Sequence, residues 1–121
     1  MDNIKSVIEK LNHFLEKSNC SDFCIKCFDG FILNLVGSFD LCYYHEVEII
    51  FINVYKISME TTFFIDCDRK PFQVQANADY DGVFEIVITD DTNTNQSIIC
   101  ENIDLIIERV KYYDDNGNRI V

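Results

Sequence analysis

The chain has 121 residues, 48% of them hydrophobic, and a formal net charge of −11 from 21 acidic against 10 basic side chains. That length supplies one domain (1–121) with a sizeable core and leaves too little for a second. The acidic balance argues against a nucleic-acid ligand or an anionic membrane, both of which are held by positive surfaces, and is compatible with a protein partner that is itself basic.

Residues 3–17 read as an amphipathic helix. Ile4, Val7, Ile8, Leu11, Phe14 and Leu15 form one stripe at a period near 3.6, the face expected to lie on a sheet. Asp2 or Asn3 is the expected cap, Lys17 suits the C-terminal end of the helix dipole, and His13 falls on the polar side. No basic start with an apolar run marks Met1–Lys10 as a secretory signal, and no run of roughly 18 apolar residues marks a membrane span, so the expected setting is the cytoplasm.

From residue 22 onward the pattern is that of strands. Asp22–Phe28 and Phe31–Val36 flank Asp29-Gly30, a strong hairpin signal that suggests a type I′ turn with positive φ at both residues. Gly37-Ser38 ends the second run. The stretch from Tyr44 to Ile65 alternates most clearly, with Val47, Ile49, Phe51, Tyr55, Ile57, Met59, Phe63 and Ile65 on one side. It is expected to form two strands in the middle of the sheet, with a turn or bulge near Lys56–Ser58. Ile50, Ile52 and Val54 make its centre apolar on both sides, which predicts cover on both faces. Asp66–Pro71 is a polar break, Phe72–Ala76 a short edge strand, and Val83–Thr89 a further alternating strand. The run 90–96 is a solvated loop. Ile103–Tyr113 fits a helical stripe, but its Ile, Val and Tyr content and the following Asn116-Gly117 turn favour a strand, with Arg119–Val121 pairing back. The expected fold is α+β, an N-terminal helix on a curved antiparallel sheet of about six or seven strands over 22–121.

Three constellations could carry chemistry. Cys24 and Cys27, followed after fourteen residues by Cys42 and His45, spell C-x2-C…C-x2-H, a spacing that can supply four zinc ligands. Against it, residues i and i+3 of a strand point to opposite faces, and the domain is large enough to fold without metal. The six cysteines are therefore expected as reduced, mostly buried thiols, and no cofactor is expected, zinc being the alternative. Glu46 and Glu48 share a strand face at about 7 Å, with His45 on the other, a pair that could work as an acid and base or hold a cation. No glycine-rich phosphate loop is present, and Cys42 with His45 is the only thiol–imidazole pair at short spacing, so an enzyme is the weaker alternative.

The charge distribution points to binding. Between Pro71 and Asp115 lie ten acids and two bases, with Tyr80, Tyr112 and Tyr113 among them. Asp79, Tyr80, Asp81, Asp90, Asp91, Tyr112, Tyr113, Asp114 and Asp115 are the candidate partner-binding residues, since clustered carboxylates steer a basic partner and tyrosines anchor interfaces. In size, acidity and helix-plus-sheet patterning the chain resembles small acidic inhibitors such as immunity proteins that neutralise a toxin. No motif carries that likeness, so it assigns no residue. A chaperone for a secreted effector, holding its client on an apolar strand surface, belongs to the same class. Either reading expects a monomer or a homodimer.

Overall fold

The computed structural model describes residues 2–77 and 79–120, with the side chain of Asp2 outside the description. Helix α1 (Asp2–Glu16) leads into strands β1 (Asp22–Phe28), β2 (Ile32–Ser38), β3 (Tyr44–Ser58) and β4 (Thr62–Phe64), a 3₁₀ turn at Cys67–Arg69, and strands β5 (Phe72–Ala76), β6 (Phe84–Thr89) and β7 (Asn95–Lys111). Among the described residues these strands form one antiparallel sheet in the order β4-β1-β2-β3-β7-β6-β5. The sheet curls into a half-barrel with α1 against its concave face. Residues 103–111 are strand, as Asn116-Gly117 requires. Asn3 lies inside the helix rather than at its cap. No helix among the described residues is long and apolar enough to cross a membrane.

The helix stripe does what its spacing demands: Ile4, Ile8, Leu11 and Leu15 are buried in the core with Leu33, Leu35, Val47, Ile49 and Phe51 of the central strands. Each such side chain contributes roughly 1.5–3 kcal/mol by leaving water. The two sheet edges approach each other across this core. The Phe23 ring of β1 lies 5.8 Å from Phe63 of β4 and 5.8 Å from Phe72 of β5, so residues of the β4 end and the β5 end meet in one aromatic cluster. The ring of Phe23 occupies the space that a side chain at position 37 would need. Gly37 is thus a packing requirement inside β2, not only a strand end.

Expectation and structure differ in the Tyr44–Ile65 stretch and at the first hairpin turn. Tyr44–Ile65 does contain two strands, but only β3 is central; β4 sits at the sheet edge beside β1, because the chain crosses past the β1–β2 hairpin at Met59–Thr61. The bulge falls between Val54 and Lys56, just before the expected position. Ile50 and Ile52 are only half-buried on the convex face, while Val54 packs on the core. The first hairpin turn is centred one residue later than expected. Asp29 N–H donates to Ile32 O, and positive φ occurs at Gly30 (97°) and not at Asp29, which is the II′ pattern with Gly30-Phe31 at the centre. The cause is the Asp29 carboxylate, whose Oδ1 accepts from Phe31 N–H and Ile32 N–H at 2.8 Å each. At the C-terminus Tyr113 bridges Arg119 as expected, and Val121 lies outside the described residues.

One contact missed at sequence level ties helix to sheet edge. Asn12, buried on α1, donates from Nδ2 to Phe72 O at 2.8 Å and accepts at Oδ1 from Phe72 N–H at 3.2 Å. A single side-chain amide thereby satisfies both backbone groups of Phe72, the first residue of an edge strand sixty residues away. Asn12→Ala leaves both buried Phe72 groups without these partners and is expected to lower the unfolding free energy by about 2 kcal/mol or more in urea titration. Gly37→Ala is expected to cost about 1–3 kcal/mol by overpacking against Phe23. Unchanged midpoints would show that the edge and the ring can adjust.

Candidate functional site

Strand irregularities decide where the chemically interesting side chains point. In β1 a bulge at Lys26 shifts the register, so Cys24 pairs with Val36 and Cys27 with Asn34. Val36 and Asn34 are two apart on β2, hence Cys24 and Cys27 lie on one face, the convex one, contrary to simple alternation. A second bulge between His45 and Val47 acts in the same way on β3. His45 pairs with Val110 and Glu48 with Ile106, positions of one parity on β7, so His45 and Glu48 share the convex face. Glu46, expected beside Glu48, turns the other way and meets Arg109 at 2.8 Å, whose guanidinium also lies 4.6 Å over the Tyr44 ring.

The convex face therefore carries a polar cluster under the C-terminal hairpin. Asn34 Nδ2 donates to Glu48 Oε1 at 2.7 Å, and Lys26 Nζ stands 3.9 Å from the same oxygen. The Cys27 thiol donates to Asn34 Oδ1 at 3.4 Å. His45, 2% exposed, shares a 2.8 Å hydrogen bond between Nδ1 and the Tyr112 hydroxyl. Tyr112 N–H donates to Tyr43 O and Ile120 N–H to Tyr112 O, which lay the hairpin across this face. The Arg119 guanidinium lies 5.4 Å from both the Tyr112 and Tyr113 rings.

The four zinc candidates are not brought together. Cys24, Cys27 and His45 occupy the convex face, while Cys42 sits in the β2–β3 loop, where its N–H donates to Asp40 Oδ1. Among the described residues no three His, Cys, Asp or Glu side chains are placed to hold a metal. Nor are the thiols activated as nucleophiles where a shift is resolved. Burial raises Cys24 and Cys67, Asp40 raises Cys42, and burial pushes Cys100 up to about 12.

The nine partner-binding candidates fall into three groups on separate loops. Asp79, Tyr80 and Asp81 lie in the β5–β6 connection, Asp90 and Asp91 in the β6–β7 loop, and Tyr112–Asp115 after β7. The first two loops sit at opposite ends of β6, roughly 17 Å apart by strand rise. Asp90 and Asp114 build their own loops. Asp90 Oδ1 accepts from Thr92 N–H and Thr94 N–H at 2.9 Å, and Asp114 Oδ1 accepts from Asn116 N–H at 2.9 Å and Asn118 N–H at 2.8 Å. The Thr92 hydroxyl, which donates to Asp90 Oδ1 at 2.6 Å, and then the Thr94 N–H hold the Asp90 carboxyl below the usual aspartate range, and the Asn118 N–H does the same first for Asp114.

The β5–β6 group acquires neighbours that the sequence did not associate with it. Tyr80 rests against Tyr55 of β3 with ring centroids 5.9 Å apart. Tyr55 in turn lines a shallow groove with Phe28, Gly30, Val54, Lys56 and Ile57, and a second, adjoining groove with Phe31, Asn53 and Glu101. Phe31 is 69% exposed, Tyr80 59%, Tyr55 54% and Phe28 45%, so four large rings face solvent in one region. The sequence held a signal for this: Phe28 and Phe31 bracket a hairpin turn, where side chains have no sheet to bury them. Comparison with known proteins adds no assignment, as no family model, curated protein or solved structure matches the chain.

Burial, and then Lys26, lower the His45 pKa, while Glu48 and Glu108 oppose them; Cys24 and Tyr112 border the same cluster. The unfolded chain takes up the His45 proton first as pH falls through about 6.5, so this contribution to stability is complete above that pH and is lost on acidification toward the lower folded value. Urea midpoints are therefore expected to fall between neutral pH and pH about 5.5, and less steeply in His45→Gln. Equal slopes would place His45 outside the linkage. In the folded chain Cys27 and Cys42, the exposed thiols, are expected to react with a thiol reagent before buried Cys20 and Cys100, and EDTA to leave the melting temperature unchanged.

Proposed function

We propose that this chain is a small acidic protein-binding module, of the inhibitor or effector-chaperone kind, that captures a basic protein partner by occluding part of its surface. The observation that carries the reading is the cluster of exposed rings Phe28, Phe31, Tyr55 and Tyr80. Asp79, Asp81 and Glu101 lie beside those rings in the chain or along the groove, against Lys56 as the base that lines it.

The physical reason is a division of labour. Rigid aromatic side chains lose little conformational freedom on binding and release several kcal/mol when desolvated, which makes them anchors. Carboxylates around them add little affinity, but they speed encounter with a positive surface and disfavour acidic competitors. The other two acidic loops contribute to the general negative field, and their central carboxylates, Asp90 and Asp114, are already engaged in hydrogen bonds.

Pulldown from native extract followed by cross-linking mass spectrometry identifies the partner and its contact site. Phe31→Ser with Tyr80→Ser is expected to keep the melting temperature and weaken capture at least about tenfold, since both side chains are mostly in water in the free chain. Asp79→Lys with Asp81→Lys is expected to slow association and flatten its salt dependence, while Asp91→Lys with Asp115→Lys changes capture far less. Equal capture of the same partner by the double aromatic variant would overturn this assignment of the surface.

A further inference from the structure

β3 outruns its neighbour in the sheet. Its pairing with β2 ends at the Ile32–Ile52 rung, with one more bond from Val54 N–H to Phe31 O at 2.9 Å. Its pairing with β7 continues through Lys56, Ile57 and Ser58. From Tyr55 to Ser58 the β2 side of β3 therefore has no strand partner among the described residues. β1 leaves a matching gap. β4 covers only Asp22–Cys24, with one further bond from Ile25 N–H to Thr61 O, so Lys26–Phe28 has no strand partner on that side among the described residues. Beside the β3 overhang, against Phe28 and Gly30, lies the first groove, of about 400 Å³; the second, of about 330 Å³, continues it past Phe31 and Glu101.

Unpaired strand edges are the most adhesive backbone a folded protein can show, and natural sheets cover them. Elsewhere single contacts cover part of the edges: Asn12 meets β5 at Phe72, and Phe64 O of β4 accepts from Asp91 N–H at 2.9 Å. At the β3 overhang the edge lies instead beside exposed rings.

We propose that Tyr55–Ser58 is a strand-addition site for an extended segment of the partner that carries Arg or Lys at alternate positions. The inference rests on the reading of the aromatic surface given above and adds the mode of recognition. Backbone hydrogen bonds along the edge supply affinity without regard to sequence, and alternate side chains of an added strand fall on one face, where the groove selects them. Cations suit the second groove because the rings of Phe31 and Tyr55 attract them and Glu101 lines it, whereas Lys56 lines the first. The chain already uses the same contact internally, Arg109 lying 4.6 Å over Tyr44. A second copy is a poorer occupant, since it would bring a second net charge of −11 to the interface.

The probe is a short capped peptide of alternating Arg and Val, titrated into the isotope-labelled full chain at near-physiological salt and followed by amide chemical shifts. Shift changes are expected at Phe28–Phe31, Val54–Ser58 and Glu101. Affinity is expected to fall about tenfold or more when alternate peptide nitrogens are methylated, when Glu replaces Arg in the peptide, or when Tyr55→Ser is introduced into the chain. Equal binding of the methylated peptide would overturn strand addition while leaving the aromatic surface as the partner site. Shifts centred on Asp90–Thr94 or Asp114–Asn118, or no shifts at all, would overturn the proposal outright. Loss of native-partner capture in Phe31→Ser with Tyr80→Ser decides the wider reading separately, whatever the peptide does.

Discussion

Phe51 and Val54 of β3 both face the core although they are three residues apart, and opposite them Ile103 and Cys100 of β7 do the same. Two strands change face at one rung of their shared ladder. Asn53 absorbs the turn on one side with a left-handed φ of 54°, and Asn102 supports the other by accepting at Oδ1 from the Ile103 N–H. A flat ladder of this length would carry its two ends apart. The shared kink bends the sheet through its longest and most central pair, and so lets its margins close over one core. The Phe23, Phe63 and Phe72 rings fill the space where those margins meet, and α1 covers what remains.

Curling a sheet without closing it leaves edges, and the chain treats them with unlike devices. Asn12 meets β5 at Phe72, a loop amide reaches β4, and the overhang of β3 stays open. Turns, by contrast, are built by one repeated device. Asp29, Asp90 and Asp114 each direct a carboxylate oxygen at two or more backbone N–H groups just downstream, and Asp66 does so at Asp68 N–H. Part of the acidity that stands out in the composition is therefore turn chemistry.

Element type was legible wherever periodicity ran undisturbed: the helix stripe, β5, β6, and the hairpins marked by glycine. The bulges at Lys26 and between His45 and Val47 were not legible, because one extra residue inverts every later side chain while leaving composition untouched. That is why Cys24 with Cys27, and His45 with Glu48, share a face that alternation denies them, and why Glu46 and Glu48 part company. Asn12 was unreadable for another reason: its role depends on a strand sixty residues away. Tyr80 stands out in the sequence as a tyrosine among acids, but its contact with Tyr55, and the groove Tyr55 shares with Phe31, exist only because the topology lays the first hairpin beside the β3 kink.

Charge alone would make a weak recognition device on this molecule. Fields between exposed groups fade over about 8 Å at physiological ionic strength, and the acidic loops at the two ends of β6 are separated by about twice that. A partner docked on one loop scarcely feels the other, and a carboxylate already accepting several backbone hydrogen bonds has little left to offer a newcomer. What distinguishes the region around Tyr55 is that apolar rings, an open backbone edge and local carboxylates coincide there. Each supplies a different part of binding: desolvation for strength, the edge for alignment, charge for speed. The kink that closes the core is also what places them together, since it turns Val54 inward and leaves Tyr55 outside, next to the hairpin tip.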